Sequence, residues 1–152
     1  MNYVLDTNII LFYLKDGPTK ELIETTYGPF ASDNTAIISI VTVAEIKALA
    51  QKNKWGDKRI KIVEKILGRL AVIEIIYGEL LDAYAEIDAF SQGKLDQPSS
   101  FSARNMGKND LWIAATTKIT NSTLLTSDRD FDHLQGNYFE VLLIENIDSK
   151  KS

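Results

Sequence analysis

The chain has 152 residues, of which 45% are hydrophobic, with no cysteine and a formal net charge of −4. That is enough apolar sequence for one domain with a real core, so disorder is not the expectation. The missing cysteines exclude a disulfide scaffold, a thiolate zinc site and a Cys nucleophile, and fit a reducing cytoplasm, while the negative charge argues against tight, non-specific phosphate binding by the chain alone.

The N-terminus, MNYVLDTNII, lacks a basic leader region and reads as a strand rather than a signal peptide. No run reaches the ~18 apolar residues that a membrane span needs. Tyr3 to Leu5 is a short apolar strand ending at Asp6, and Thr7 to Leu14 is a dense apolar helix. Gly17-Pro18 breaks it, and Pro18 can start a second helix over Thr19 to Tyr27. Ala36 to Ile40 is β-rich. Val43, Ile46, Leu49 and Ala50 follow at helical spacing, and after Gly56-Asp57 so do Ile60, Val63, Ile66 and Leu67.

Ala71 to Tyr77 is a third strand, and Glu79 to Phe90 a helix with an apolar stripe. The polar stretch from Ser91 to Met106 is the best candidate for a long loop or mobile flap. Asn109 can cap a helix from Asp110 to Ile119, whose apolar residues spread over more than one face and predict burial on several sides. Thr123 to Thr126 is a fourth strand, Phe131 to Leu134 a helical turn, and Tyr138 to Ile144 a fifth strand. The tail from Asp148 to Ser152 is polar and expected to fray. Strands alternating with helices argue for an α/β sandwich around a mostly parallel sheet. Such sheets hold ligands beyond the carboxyl ends of their strands, where strand order reverses.

Four acids stand where apolar runs stop or turn into helix: Asp6 in VLDTN, Glu45 in VTVAEIKAL, Asp110 in GKNDLWIAA and Asp128 in LLTSDRDF. Each has an ordinary structural explanation. Asp6 can cap a helix, although Thr7 and Asn8 compete for that role. Glu45 flanks its apolar stripe, Asp110 lies in a first helical turn, and Asp128 and Asp130 sit in a turn-like SDRD stretch. Together they say more. Two acids at strand ends and two at helix starts all face one edge of a parallel α/β domain. Converging carboxylates are costly unless bound to a cation, and oxygen ligands suit Mg²⁺ or Mn²⁺. The chemistry implied is metal-assisted attack on a phosphodiester.

No phosphate-cradling glycine motif is present. The one histidine, His133, reads as a surface or half-buried structural residue, and Trp55 and Trp112 as core or interface. Lys47, Lys52, Lys54, Arg104 and Lys108 can meet phosphates but are more simply solvated. A receiver domain would need an acid at the end of the third strand, where Tyr77-Gly78 stands. A haloacid-dehalogenase-like site would need Asp at position 8, which is Asn.

The segments VLDTNIILFYL, ISIVTVAEIKAL, GKNDLWIAATTKI and LLTSDRDFDHL, in this order, resemble the PIN-domain family and within it the VapC-like toxins of bacterial toxin–antitoxin pairs. The resemblance implies a three-layer α/β/α fold, with a five-stranded parallel sheet of order 3-2-1-4-5 in one domain over residues 1–147. It implies a Mg²⁺- or Mn²⁺-dependent endoribonuclease, leaving a 5′-phosphate and a 3′-hydroxyl. The acidic site and metal ligands fall on Asp6, Glu45, Asp110 and Asp128, with Asn8, Ser39 and Thr126 as polar supports and Asp130 as an auxiliary acid. A homodimer and a cognate antitoxin protein are the implied partners, besides RNA. The rival readings are a housekeeping PIN-type RNA-processing nuclease and a non-catalytic metal- or RNA-binding module. The stretch from Ser91 to Met106 is longer than a compact member needs.

Overall fold

The computed structural model describes residues 1–95 and 101–148. The chain runs β1 (Asn2–Leu5), α1 (Thr7–Lys15), α2 (Pro18–Thr26), β2 (Thr35–Ser39), α3 (Ile40–Lys52), α4 (Asp57–Leu67), β3 (Ala71–Ile73) and α5 (Gly78–Ser91). It continues with α6 (Lys108–Ile119), β4 (Thr123–Thr126), a 3-10 turn (Arg129–Leu134) and β5 (Val141–Leu143). All five strands are parallel, in the order β3-β2-β1-β4-β5. This is the expected sheet, flanked by helices.

Alternation along the strands builds the layers. Successive side chains leave a strand on opposite faces. Leu5, Ile38 and Leu125 therefore enter one core, with Ile9 and Ile10 of α1, Ile23 of α2, Ile46 of α3 and Val63 of α4. Val4, Ile37 and Leu124 enter the other, with Ile87 and Phe90 of α5 and Leu111, Ile113 and Ala114 of α6. Both faces of the central strands are covered, so these strands are continuous apolar runs rather than alternating ones. Helix α6 is buried on several sides, as expected: Leu111, Ile113, Ala114, Ala115, Thr116 and Thr117 are all sequestered.

Several boundaries differ from the sequence expectation. β3 stops at Ile73 rather than Tyr77, because its neighbour β2 ends at Ser39, the partner of Ile73, and turns into α3. β5 is confined to Val141–Leu143, where β4 offers partners from Leu124 to Thr126. Asn109 does not cap α6. The helix begins two residues earlier, with Gly107 at the cap position and no side-chain capping bond. Asp148 does not fray, since it is buried and bonded to the start of α2; residues 149–152 lie outside the described residues. The flap expected over Ser91 to Met106 falls partly on residues 96–100, also outside them. Its described ends are tied down: Arg104 N–H donates to the Ser91 carbonyl at 2.8 Å, and Phe101 packs on Phe90.

Candidate metal centre

The chain builds β1, β2 and β3 outward on one side, then returns to place β4 and β5 on the other side of β1. Strand order therefore reverses between β1 and β4, and a crevice opens at their carboxyl ends. Asp6 follows β1 and Asp128 lies two residues beyond β4. α3 brings Glu45 from the side of β2, and the first turn of α6 brings Asp110.

Asp6 is both a helix cap and a member of this site. It is the N-cap of α1, with Oδ1 accepting from Thr7 N–H at 2.7 Å. Neither Thr7 nor Asn8 takes that role. Its Oδ2 accepts from the Thr126 hydroxyl, also at 2.7 Å, and only 5% of the residue is exposed. Thr126 Oγ1 in turn accepts from Asp128 N–H at 3.0 Å. One hydroxyl thus ties the acid after β1 to the backbone after β4. The Thr7 hydroxyl donates to Glu45 Oε1 at 2.8 Å and ties α1 to α3. The sequence reading did not single out Thr7 for this, although its place beside Asp6 was the available signal.

The tightest group is Asp110, Asp128 and Asp130, each offering a carboxylate oxygen, all within 4.8 Å of one another. Asp130, expected only as an auxiliary acid, belongs to it, and its N–H donates to Asp128 Oδ1 at 2.9 Å. Asp6 and Glu45 stand outside this three-oxygen group but act on it by charge. Burial, then the charges of Asp6, Asp128, Asp130 and Glu45, push the Asp110 carboxyl up to about 7. Burial also raises the Asp6 carboxyl, against the lowering effect of its bonds to Thr126 and Thr7.

Among the described residues, none of these five acids forms a salt bridge. Hard oxygen donors, converging and uncompensated, fit a divalent cation. Two clefts reach this edge. One, of about 810 Å³, is bordered by Asn8, Ser127 and Arg129. The other, of about 420 Å³, is bordered by Glu45, Lys52 and Asn109.

The remaining expected residues take varied places. Ser39 is buried and caps α3, accepting from Val41 N–H at 3.2 Å. Asn8 is exposed at the rim. Lys47, Lys52, Lys54 and Lys108 are exposed, and Trp112 packs on Tyr84 with ring centres 4.2 Å apart. His133 is buried and hydrogen-bonded to Ser91, and burial pushes its ring down to about 4, so it is neutral near pH 7.

The PIN domain matches residues 3–137. The chain is 25% identical over 135 residues to a protein named Ribonuclease VapC2 from Haemophilus influenzae, covering 88% of this chain and 92% of that one. It superposes with a TM-score of 0.72 on a chain of the VapBC2 crystal structure from Rickettsia felis, solved with a DNA fragment from their promoter, at 23% identity over 95% of this chain and 100% of the other. A toxin–antitoxin complex from Klebsiella pneumoniae gives 0.68, at 17% identity over 95% and 99% of the two chains. At these identities the two structures speak for the fold alone. The acids at the switch point lie within the matched span, and that match covers most of the sequence: the chain belongs to the PIN domain family.

Proposed function

We propose that this chain is a Mg²⁺- or Mn²⁺-dependent endoribonuclease that hydrolyses RNA phosphodiester bonds, acting as the toxin of a type II toxin–antitoxin pair. The observation that carries the reading is the convergence of Asp110, Asp128 and Asp130 within 4.8 Å, with no salt bridge to them among the described residues. The ribonuclease name of the Haemophilus relative and the toxin–antitoxin complex of the Klebsiella neighbour support the substrate and the partner. The whole of residues 1–147 serves as one nuclease domain, and a second copy of the chain and an antitoxin are its protein partners.

In this reading Asp6, Asp110 and Asp128 hold the cation, while Glu45 and Asp130 complete the negative pocket. A bound divalent cation would offset charge on the phosphate and lower the pKa of water. The protein supplies orientation. Thr126 fixes the Asp6 carboxylate and the Asp128 backbone together. Thr7 fixes Asp6 and Glu45. Asp110 must give up its proton to serve as a ligand, so binding is coupled to pH.

The test is cleavage of a panel of tRNA, rRNA fragments and mRNA by the purified chain in Mg²⁺, Mn²⁺ or EDTA. An Asp6→Asn/Asp110→Asn double variant runs alongside. The expected result is metal-dependent cleavage that falls at least about 100-fold in the variant. Equal cleavage by the variant would overturn the assignment of the site. Mn²⁺ binding without cleavage of any RNA would instead mark a binding module. Suppression of cleavage by the product of a neighbouring short reading frame is the expected sign of the antitoxin.

A further inference from the structure

The three closest carboxylates come from two elements that share no direct polar bond. Asp110 stands on α6, while Asp128 and Asp130 head the 3-10 turn. Among the described residues no hydrogen bond or ion pair joins α6 to that turn. Their relative placement, which a cation senses to about 0.2 Å, is therefore set through other contacts. Behind them lies a buried polar knot in an otherwise apolar cluster. Ser91, the last residue of α5, has its Oγ 2.7 Å from Nε2 of His133 and 3.3 Å from Sδ of Met106. His133 belongs to the turn that follows Asp128, and Met106 directly precedes Gly107, the cap residue of α6. Ser91 is fully buried, and His133 and Met106 are nearly so.

One tautomer of His133 uses both bonds at once. With the proton assigned to Nε2, the ring donates to Ser91 Oγ, and the Ser91 hydroxyl donates to Met106 Sδ. Nδ1 has no partner at full hydrogen-bond geometry, although the Asp130 backbone lies near enough to the ring to favour its charged form slightly. The ring is also wedged between aromatic neighbours, stacked parallel to Phe90 at 6.3 Å and tilted against Phe101 at 5.1 Å. Apolar packing sets how close the turn and α6 approach. The bond from Asp128 N–H to Thr126 fixes the start of the turn against β4, and the His133–Ser91 bond adds the directional link that orients the rest of the turn against the end of α5 and the start of α6.

We infer that His133 and Ser91 are positioning residues for the acidic centre: the chain His133–Ser91–Met106 holds the turn carrying Asp128 and Asp130 in register with the start of α6 carrying Asp110. This rests on the metal reading above. Neither residue touches the cation or the RNA. Both act through the carboxylates they aim, as outer partners do at metal sites.

The experiment is calorimetric titration of the full chain with Mn²⁺, without RNA, beside a thermal melt of each variant. Ser91→Ala removes the hydroxyl at little change in volume, and His133→Phe keeps the aromatic wedge without the bond. Each is expected to weaken Mn²⁺ binding about tenfold. The double variant is expected to be no weaker than either single one, because both remove the same link. His133→Gln, which restores an N–H donor, is expected to recover part of the loss. Ile23→Val, a mild core change within α2, is expected to lower the melting temperature without altering Mn²⁺ affinity.

Unchanged affinity in Ser91→Ala, or losses that add in the double variant, would overturn the inference while leaving the metal reading standing. Should His133→Phe not fold, Ser91→Ala alone decides. If the wild type binds no Mn²⁺, or Asp110→Asn binds it equally well, the metal reading fails and this inference falls with it.

Discussion

Asp110 shows how a single residue can burden the fold while serving the proposed site. Its carboxyl is raised to about 7 by burial and by four neighbouring acids. Between about pH 4 and 7 the folded chain therefore holds a proton that the unfolded chain has lost, and stability falls as pH rises through that window. Above pH 7 the penalty is fully present. Because the group is only half-buried, screening reduces it to about 1–2 kcal/mol. Asp110→Asn should thus melt about 2–8 °C higher than the wild type in EDTA at pH 8. The advantage should vanish near pH 4, as melts at both pH values would reveal; an equal gain at both would mean that charge is not the cause. The sequence showed which acids face one edge, because strand ends and helix starts in a parallel sheet share that edge. It did not show that Asp130 joins the tightest group, since that depends on the turn bond from its N–H to Asp128. Nor did it reveal His133 and Ser91 meeting at 2.7 Å, because 42 residues separate them.

At the scale of elements, the helices were legible from their apolar periods, and β1 and β4 end where the sequence placed them, but the ends of β3 and β5 were not legible. A strand ends where its partner does. Glu74 to Tyr77 keep a β-rich composition but find no neighbour once Ser39 has turned into α3. α2 shows the same dependence on distant chain. Its own N-cap is Gly17, which has no side chain to offer, and the orphan Thr19 N–H is instead satisfied by Asp148 Oδ1 at 2.9 Å. The Thr19 hydroxyl accepts from Ile147 N–H at the same distance. A side chain at position 17 would meet the Asp148 carboxylate, as a Cβ there would lie 2.8 Å from its Oδ1. The bond from Thr19 N–H, ahead of other causes, holds the Asp148 carboxyl below its usual value of 3.8. Its stabilisation is therefore present above pH 3.8 and lost as pH falls below it. Asp148→Ala should cost about 1–2 kcal/mol in urea denaturation at pH 7. Mn²⁺ affinity should be unchanged, and a loss of both would mean that the segment also shapes the acidic edge.

For the whole molecule, the balance of charge decides how the RNA of the proposed reaction would be approached. The chain carries 21 acidic and 17 basic residues, and five of the acids crowd the carboxyl end of the sheet without a salt bridge among the described residues. The basic residues near them, Lys52 and Arg129, border the clefts instead. A phosphodiester nearing the centre of an ion-free molecule meets like charge, so affinity for RNA should depend on the cation as much as cleavage does. The parallel sheet has a part in this, since the topology that creates the crevice also brings these five acids to one end. The consequence runs opposite to its effect on turnover. In EDTA at pH 8, Asp6→Asn/Asp110→Asn removes two negative charges and should bind a single-stranded RNA oligonucleotide about fivefold more tightly than the wild type. This corresponds to roughly 1 kcal/mol, the scale of two close charges in water. In Mn²⁺ the order should reverse, because only the wild type gains the cation's charge. Fluorescence anisotropy in the two buffers measures both. If the wild type bound RNA equally well with and without Mn²⁺, the phosphate would be held away from the carboxylates, and the acidic edge would not be where the RNA backbone sits.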